Sequence, residues 1–187
     1  MSEESKLCTG HQTTKMMSLK VVHIALWATT LLVPTLGRIV DRCDLAHELL
    51  GLGSPRNELS TWVCIAFRES SYNTRAMGPI NDYDNSTDHG LFQINNRYWC
   101  SPPGTGCGVT CESLRGDDIT PQWRCAQIVF RETQVLKNNG FLAWTTYEKH
   151  CAGDTSSYIA GCGILTSDDN QRHNAGQFFG SCARTSW

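Results

Sequence analysis

The sequence predicts an α+β fold held by disulfides. Three observations predict it: helical apolar stripes stand on both sides of a turn-rich stretch, that stretch ends in a short polar–apolar alternation, and Cys is far above ordinary usage. At 187 residues the chain has room for one domain with appendages. A body of ~120 to 130 residues is large enough to bury a real core. Of the ten Cys, Cys43, Cys64, Cys100, Cys107, Cys111, Cys125, Cys151 and Cys162 make an even set of eight, which suits an oxidising compartment. A zinc site at Cys107, Cys111 and Cys125 is the alternative, but no His stands at finger spacing. Eight Cys allow 105 pairings, and spacing alone does not choose among them.

The elements follow in chain order. Leu45, Ala46, Leu49 and Leu50 place apolar groups on one stripe after Asp44, predicting a short core helix that Gly51, Gly53, Ser54 and Pro55 break. Leu59 to Glu69 reads as a second, largely buried helix with Trp62, Val63, Ile65, Ala66 and Phe67 before the acid. Gly78, Pro79 and Asn81 to Thr87 form a turn-rich segment leading to a strand around Leu91 to Asn95, and a small antiparallel sheet is expected. Cys100 to Cys125, with Pro102, Pro103, Gly104, Gly106 and Gly108, reads as a loop region pinned by disulfides. Thr120 as N-cap and Pro121 at the first helical position open a third helix, with Ile128, Val129, Val135 and Leu136 apolar and Gly140 as its stop. Phe141 to Tyr147 is expected to form a further short helix carrying Trp144, and Trp62 and Trp123 to support the core.

The ends read differently from the body. Residues 1–15 are a polar extension, and 16–37 read as a signal peptide in which Lys15 and Lys20 precede the apolar run Val21 to Gly37. That run has 17 residues (37 − 21 + 1) and contains Pro34, which favours a cleaved signal over a membrane anchor. The domain is expected at 38–165, and the polar tail 166–187 reads as disordered. Cys182 in that tail could stay free, link two chains or capture another thiol; a monomer is otherwise expected. Arg38 to Leu165 holds 11 Lys and Arg against 14 Asp and Glu, hence 11 − 14 = −3, so long-range attraction to polyanions is weak. No nucleic-acid partner and no cofactor are expected.

Two carboxylates in unlike settings carry the chemistry: Glu69 in WVCIAFRESSYNT and Asp88 in STDHGLFQIN. A carboxylate at a helix C-terminus opposes the helix dipole, so Glu69 calls for a reason other than surface solvation. A general acid must hold its proton at working pH, which needs a poorly solvated pocket. Asp88 follows 19 positions later (88 − 69), and the Gly, Pro and Asn-rich segment between supplies the reversal that brings the two together. Otherwise Asp88 would be a turn aspartate.

Both segments, with the Cys spacing around them, closely resemble the C-type (chicken-type) lysozymes, the insect branch above all. The resemblance spans about Arg38 to Leu165. It implies a helical lobe and a small β-sheet lobe with a cleft between, and the pairings Cys43–Cys162, Cys64–Cys151, Cys100–Cys111 and Cys107–Cys125. It implies a secreted muramidase acting on peptidoglycan or a chitin-like oligosaccharide, with Glu69 as general acid/base and Asp88 as nucleophile or stabiliser. Lysozymes are themselves the type case of this retaining pair and of an acid raised by an apolar wall. Trp144, seven positions before Cys151, matches that wall; Gln93 and Asn95 match cleft residues that support the aspartate; Tyr98, Trp99 and Ala143 match sugar-contacting positions. Tyr98 stands where the family has a Trp, and keeps a flat face with a polar tip. The 18 residues between Cys125 and Trp144 exceed the family's usual number, so Arg131 to Asn139 is expected to lengthen the helix or bulge near the cleft rim. Asn85-Ser86-Thr87 is an N-glycosylation pattern.

Two other functions are compatible with the same scaffold. One is a catalytically idle amino-sugar-binding protein on the same scaffold, against which the presence of both acids argues. The other is a calcium-binding protein like α-lactalbumin. The matching loop positions here are Gly116, Pro121 and Gln122, and only Asp118 matches a binding position, so no metal is expected.

Overall fold

The computed structural model describes residues 38–164. The expected extension 1–15, signal 16–37 and tail 166–187, with Cys182, lie outside the described residues. Helix α1 spans Arg42–Gly51, three residues earlier than its apolar stripe suggests. Asp41 sets that start by accepting hydrogen bonds from the backbone N–H of Cys43 and Asp44 at 2.8 and 3.3 Å. Helix α2 spans Leu59–Ser70 and buries Leu59, Trp62, Val63, Cys64, Ile65 and Ala66. Ser71 and Tyr72, at φ 52° and 64°, take left-handed backbone to end it, so the turn after Glu69 is made by two residues that seldom adopt it.

Strands β1 (Asp88–His89) and β2 (Ile94–Asn95) pair antiparallel, with Asp88 opposite Asn95. The expected strand over Leu91–Asn95 is thus shorter. Gly90 to Gln93 form the hairpin turn instead, and Asp88 is itself on a strand. Gly90 is required here, because its φ is +76° and a Cβ would strike the Leu114 carbonyl and the Gln122 side chain. Strands β3 (Cys100–Ser101) and β4 (Val109–Thr110) form a second, parallel pair inside the disulfide-pinned region.

Helix α3 spans Thr120–Lys137 with Pro121 in its first turn. Thr120 is the first helical residue and not the cap: its N–H is met by the Asp118 carboxylate at 2.9 Å. The helix stops at Asn138, φ 58°, and not at Gly140. Gly140 serves a packing need, because a Cβ there would meet the Phe130 ring. Residues 131–137 continue α3 as regular helix without a bulge, and of them only Thr133 is buried. Val129 is buried, but Val135 and Leu136 are 85% and 81% exposed, contrary to their apolar character. The short helix expected over Phe141–Tyr147 is two pieces, a 3-10 turn Gly140–Ala143 and a π-helical turn Tyr147–Cys151, with Trp144 extended between them.

One core spans helices and hairpin. Trp62, fully buried, has ring centroids of Phe92, Trp123, Phe130, Phe141 and Trp144 within 5.0–5.7 Å. The four disulfides join Cys43–Cys162, Cys64–Cys151, Cys100–Cys111 and Cys107–Cys125, as the resemblance implies. No helix among the described residues is long and apolar enough to cross a membrane.

His89 is 5% exposed and neither ring nitrogen has a partner among the described residues. Burial, then the charge of Arg115, holds its pKa below the ordinary 6.5, while Asp88 pulls the other way. A base depressed in the fold stabilises it above the unfolded pKa, and that contribution fades as pH falls from 6.5 through the folded value. Thermal melting of His89→Phe should accordingly lose less stability than the parent over that acid interval. Parallel losses would remove His89 as the cause.

Candidate active site

A cleft of about 220 Å³ is lined by Glu69, Asp88, Gln93, Ile94, Asn95, Trp99, Val129, Ala143, Trp144 and Thr145. Seven of the eight residues named from the sequence as catalytic or sugar-contacting therefore share one cavity. Tyr98 is the exception; it is 61% exposed and stands outside that lining, with the Arg97 guanidinium 5.5 Å from its ring centroid.

Glu69 projects from the last turn of α2, where the preceding apolar residues bury the helix and leave the acid half-buried. Burial raises its pKa above the ordinary 4.5; a hydrogen bond from Thr146 pulls it down and the nearby Asp88 charge pushes it up again. The Thr146 hydroxyl donates to Glu69 Oε1 at 2.6 Å. Trp144, 5% exposed, forms an apolar part of the wall and is fixed by its indole N–H donating to the Phe92 carbonyl at 2.9 Å.

Asp88 sits on β1, and the Asn95 amide directly across the ladder donates to its Oδ1 at 2.8 Å. The expected support from Gln93 takes another form. Gln93 has φ 47° in the turn, and its amide donates to the Gly90 carbonyl at 2.8 Å, so it shapes the turn and does not hold the aspartate. The turn also fastens both walls. Ser70 donates its hydroxyl to the Leu91 carbonyl at 2.9 Å, and the Leu91 N–H donates to Gln122 Oε1 at 2.6 Å. Gln122, 1% exposed, spends its amide on the carbonyls of Thr74 and Gly116.

Four contributors escaped the sequence reading. Ile94, Val129 and Thr145 line the cavity but look like ordinary sheet and helix residues. Thr146, two positions past Trp144, has no signal of its own, because its partner lies 77 positions away. The one group among the described residues at metal-ligand spacing is His89, Cys100 and Cys111, and its two Cys are bonded to each other.

Residues 38–162 match the description C-type lysozyme/alpha-lactalbumin family. This chain belongs to that family. It is similar to Lysozyme E of Drosophila melanogaster, 47% identical over 144 residues that cover 74% of this chain and 96% of that one. It is also similar to Lysozyme 2 of Lucilia sericata, 43% identical over 138 residues covering 71% and 92%. Lysozyme C of Scophthalmus maximus is 43% identical over 143 residues, covering 72% and 95%. Within this C-type framework the Thr146 bond is testable. Thr146→Val removes a donor to the ionised acid, so the Glu69 pKa should rise and the alkaline limb of the pH–rate profile should move to higher pH. An unmoved alkaline limb would show that the bond does not reach the chemistry.

Proposed function

We propose that this glycoside hydrolase of the lysozyme family is a muramidase that cleaves the β-1,4 link between N-acetylmuramic acid and N-acetylglucosamine with retention. The carrying observation is that a half-buried acid with a raised pKa and a second carboxylate, one oxygen of which is held by Asn95, line the same cleft. In this reading Glu69 gives its proton to the departing sugar oxygen. Asp88, with Oδ1 occupied by Asn95, offers Oδ2 to the anomeric carbon. Glu69 then takes a proton from water as that water displaces Asp88. Trp144 and Ala143 form one wall, Gln93, Asn95 and Trp99 another part of the lining, and Tyr98 stacks on a sugar at the outer edge. Export through residues 16–37 and action outside the cell as a monomer belong to the same proposal.

The test is the anomeric configuration of the first product, followed by NMR with muropeptide oligomers and with chitin oligosaccharides. Retained β product supports the retaining pair. Inverted product overturns it, and binding of both sugars without cleavage would establish the idle binder instead.

A further inference from the structure

We propose that Asn85 is an N-glycan acceptor and that its glycan flanks the β side of the cleft. Asn85-Ser86-Thr87 is the only Asn-x-Ser/Thr triplet in the 187 residues, and its middle residue is not Pro. It lies in a turn closed by Asn81 N–H to the Ser86 carbonyl and Asn85 N–H to the Asn81 carbonyl, both at 2.8 Å. Asn85 is exposed at φ 55°, a left-handed conformation that Asn tolerates.

Its neighbours are committed and it is not. Asn81 Oδ1 accepts from Tyr83 N–H, Asp84 holds Ser86 N–H and Arg97, and Asn96 Oδ1 accepts from Thr87 N–H. Among the described residues the Asn85 side-chain amide has no hydrogen-bond partner, so a substituent there displaces nothing. The Thr87 hydroxyl, which acceptor recognition requires, donates to the Gly78 carbonyl at 2.7 Å in the fold. Transfer therefore precedes folding, during export.

In the transfer, Asn85 Nδ2 bonds to C1 of the first N-acetylglucosamine of a polyprenyl-pyrophosphate-linked oligosaccharide. The C1–O bond to pyrophosphate breaks, the amide gives up one proton, and the lipid pyrophosphate leaves with the bonding pair; nothing is oxidised or reduced. Asn85 is three positions from Asp88, at most about 10 Å along an extended chain. A branched sugar anchored there stands beside the cleft, where it hinders an intact wall more than a short soluble chain. This rests on the export and muramidase readings above.

The full chain is secreted from eukaryotic cells, once behind its own leader and once behind that of another secreted protein, beside Asn85→Asp and Asn85→Gly, both tolerant of left-handed backbone. The expected result is a glycan mass on the parent, released by a peptide amidase and absent from both variants. Bare mass on secreted parent overturns the proposal. A glycan acquired only behind the borrowed leader supports the acceptor and counts against residues 16–37 as the signal. The variants should match the parent on soluble oligosaccharides and exceed it several-fold on intact walls; equal wall rates overturn the flanking role. If no form hydrolyses either substrate, the muramidase reading fails, and the mass comparison still decides the acceptor.

Discussion

Glu69→Gln should lower turnover of peptidoglycan by about 10²- to 10⁴-fold, the usual range for removing a general acid, with little change in oligosaccharide affinity. Gln keeps the shape and can still accept the Thr146 hydroxyl, so the loss isolates the proton. The same substitution should not cost stability. An acid raised in the fold opposes folding wherever the unfolded chain ionises it, above pH 4.5 here, and Gln removes that opposition. Melting at neutral pH should therefore be at least as high as in the parent. Turnover within a few-fold of the parent would remove Glu69 from the mechanism, and a collapsed melting temperature would recast it as a structural residue.

The largest stability effect is expected at Trp62. Trp62→Ala deletes a fully buried ring that five other aromatic rings surround, and such truncations cost about 3–5 kcal/mol. Denaturant unfolding with the disulfides intact measures it. Trp144 is one of the five, so activity should fall as well, through looser walls around the acid. A loss below about 1 kcal/mol would mean that the surrounding rings close over the space.

The sequence made the helices and the main cleft residues legible because apolar periodicity and the matched segments are local signals. Leu59–Ser70 was readable from its own composition, and Glu69 from its place at the end. Boundaries that depend on one hydrogen bond or one backbone angle were not. Ile119, with Asp118 bonded to the Thr120 N–H, precedes the third helix where Thr120 was expected to cap it, and Asn138 ends it in place of Gly140, because both choices turn on conformation more than on residue type. Gln93 was misplaced for the same reason: alternation cannot see a left-handed residue inside a hairpin. Thr146 and Gln122 act on partners 77 and 31 positions away, and single-sequence periodicity carries nothing about such pairs.

The turn Gly90–Gln93 gives the cleft an unusual kind of joint. The helix bearing Glu69 reaches it through Ser70, the wall residue Trp144 through Phe92, and the third helix through Gln122. Parts recruited from three distant stretches of chain are thus pinned to two adjacent residues of the turn, Leu91 and Phe92, like spokes to one hub. Such a joint transmits register. A one-residue insertion in the turn would misplace acid, wall and strand together, whereas a change of length at the far end of α3 leaves all three where they are.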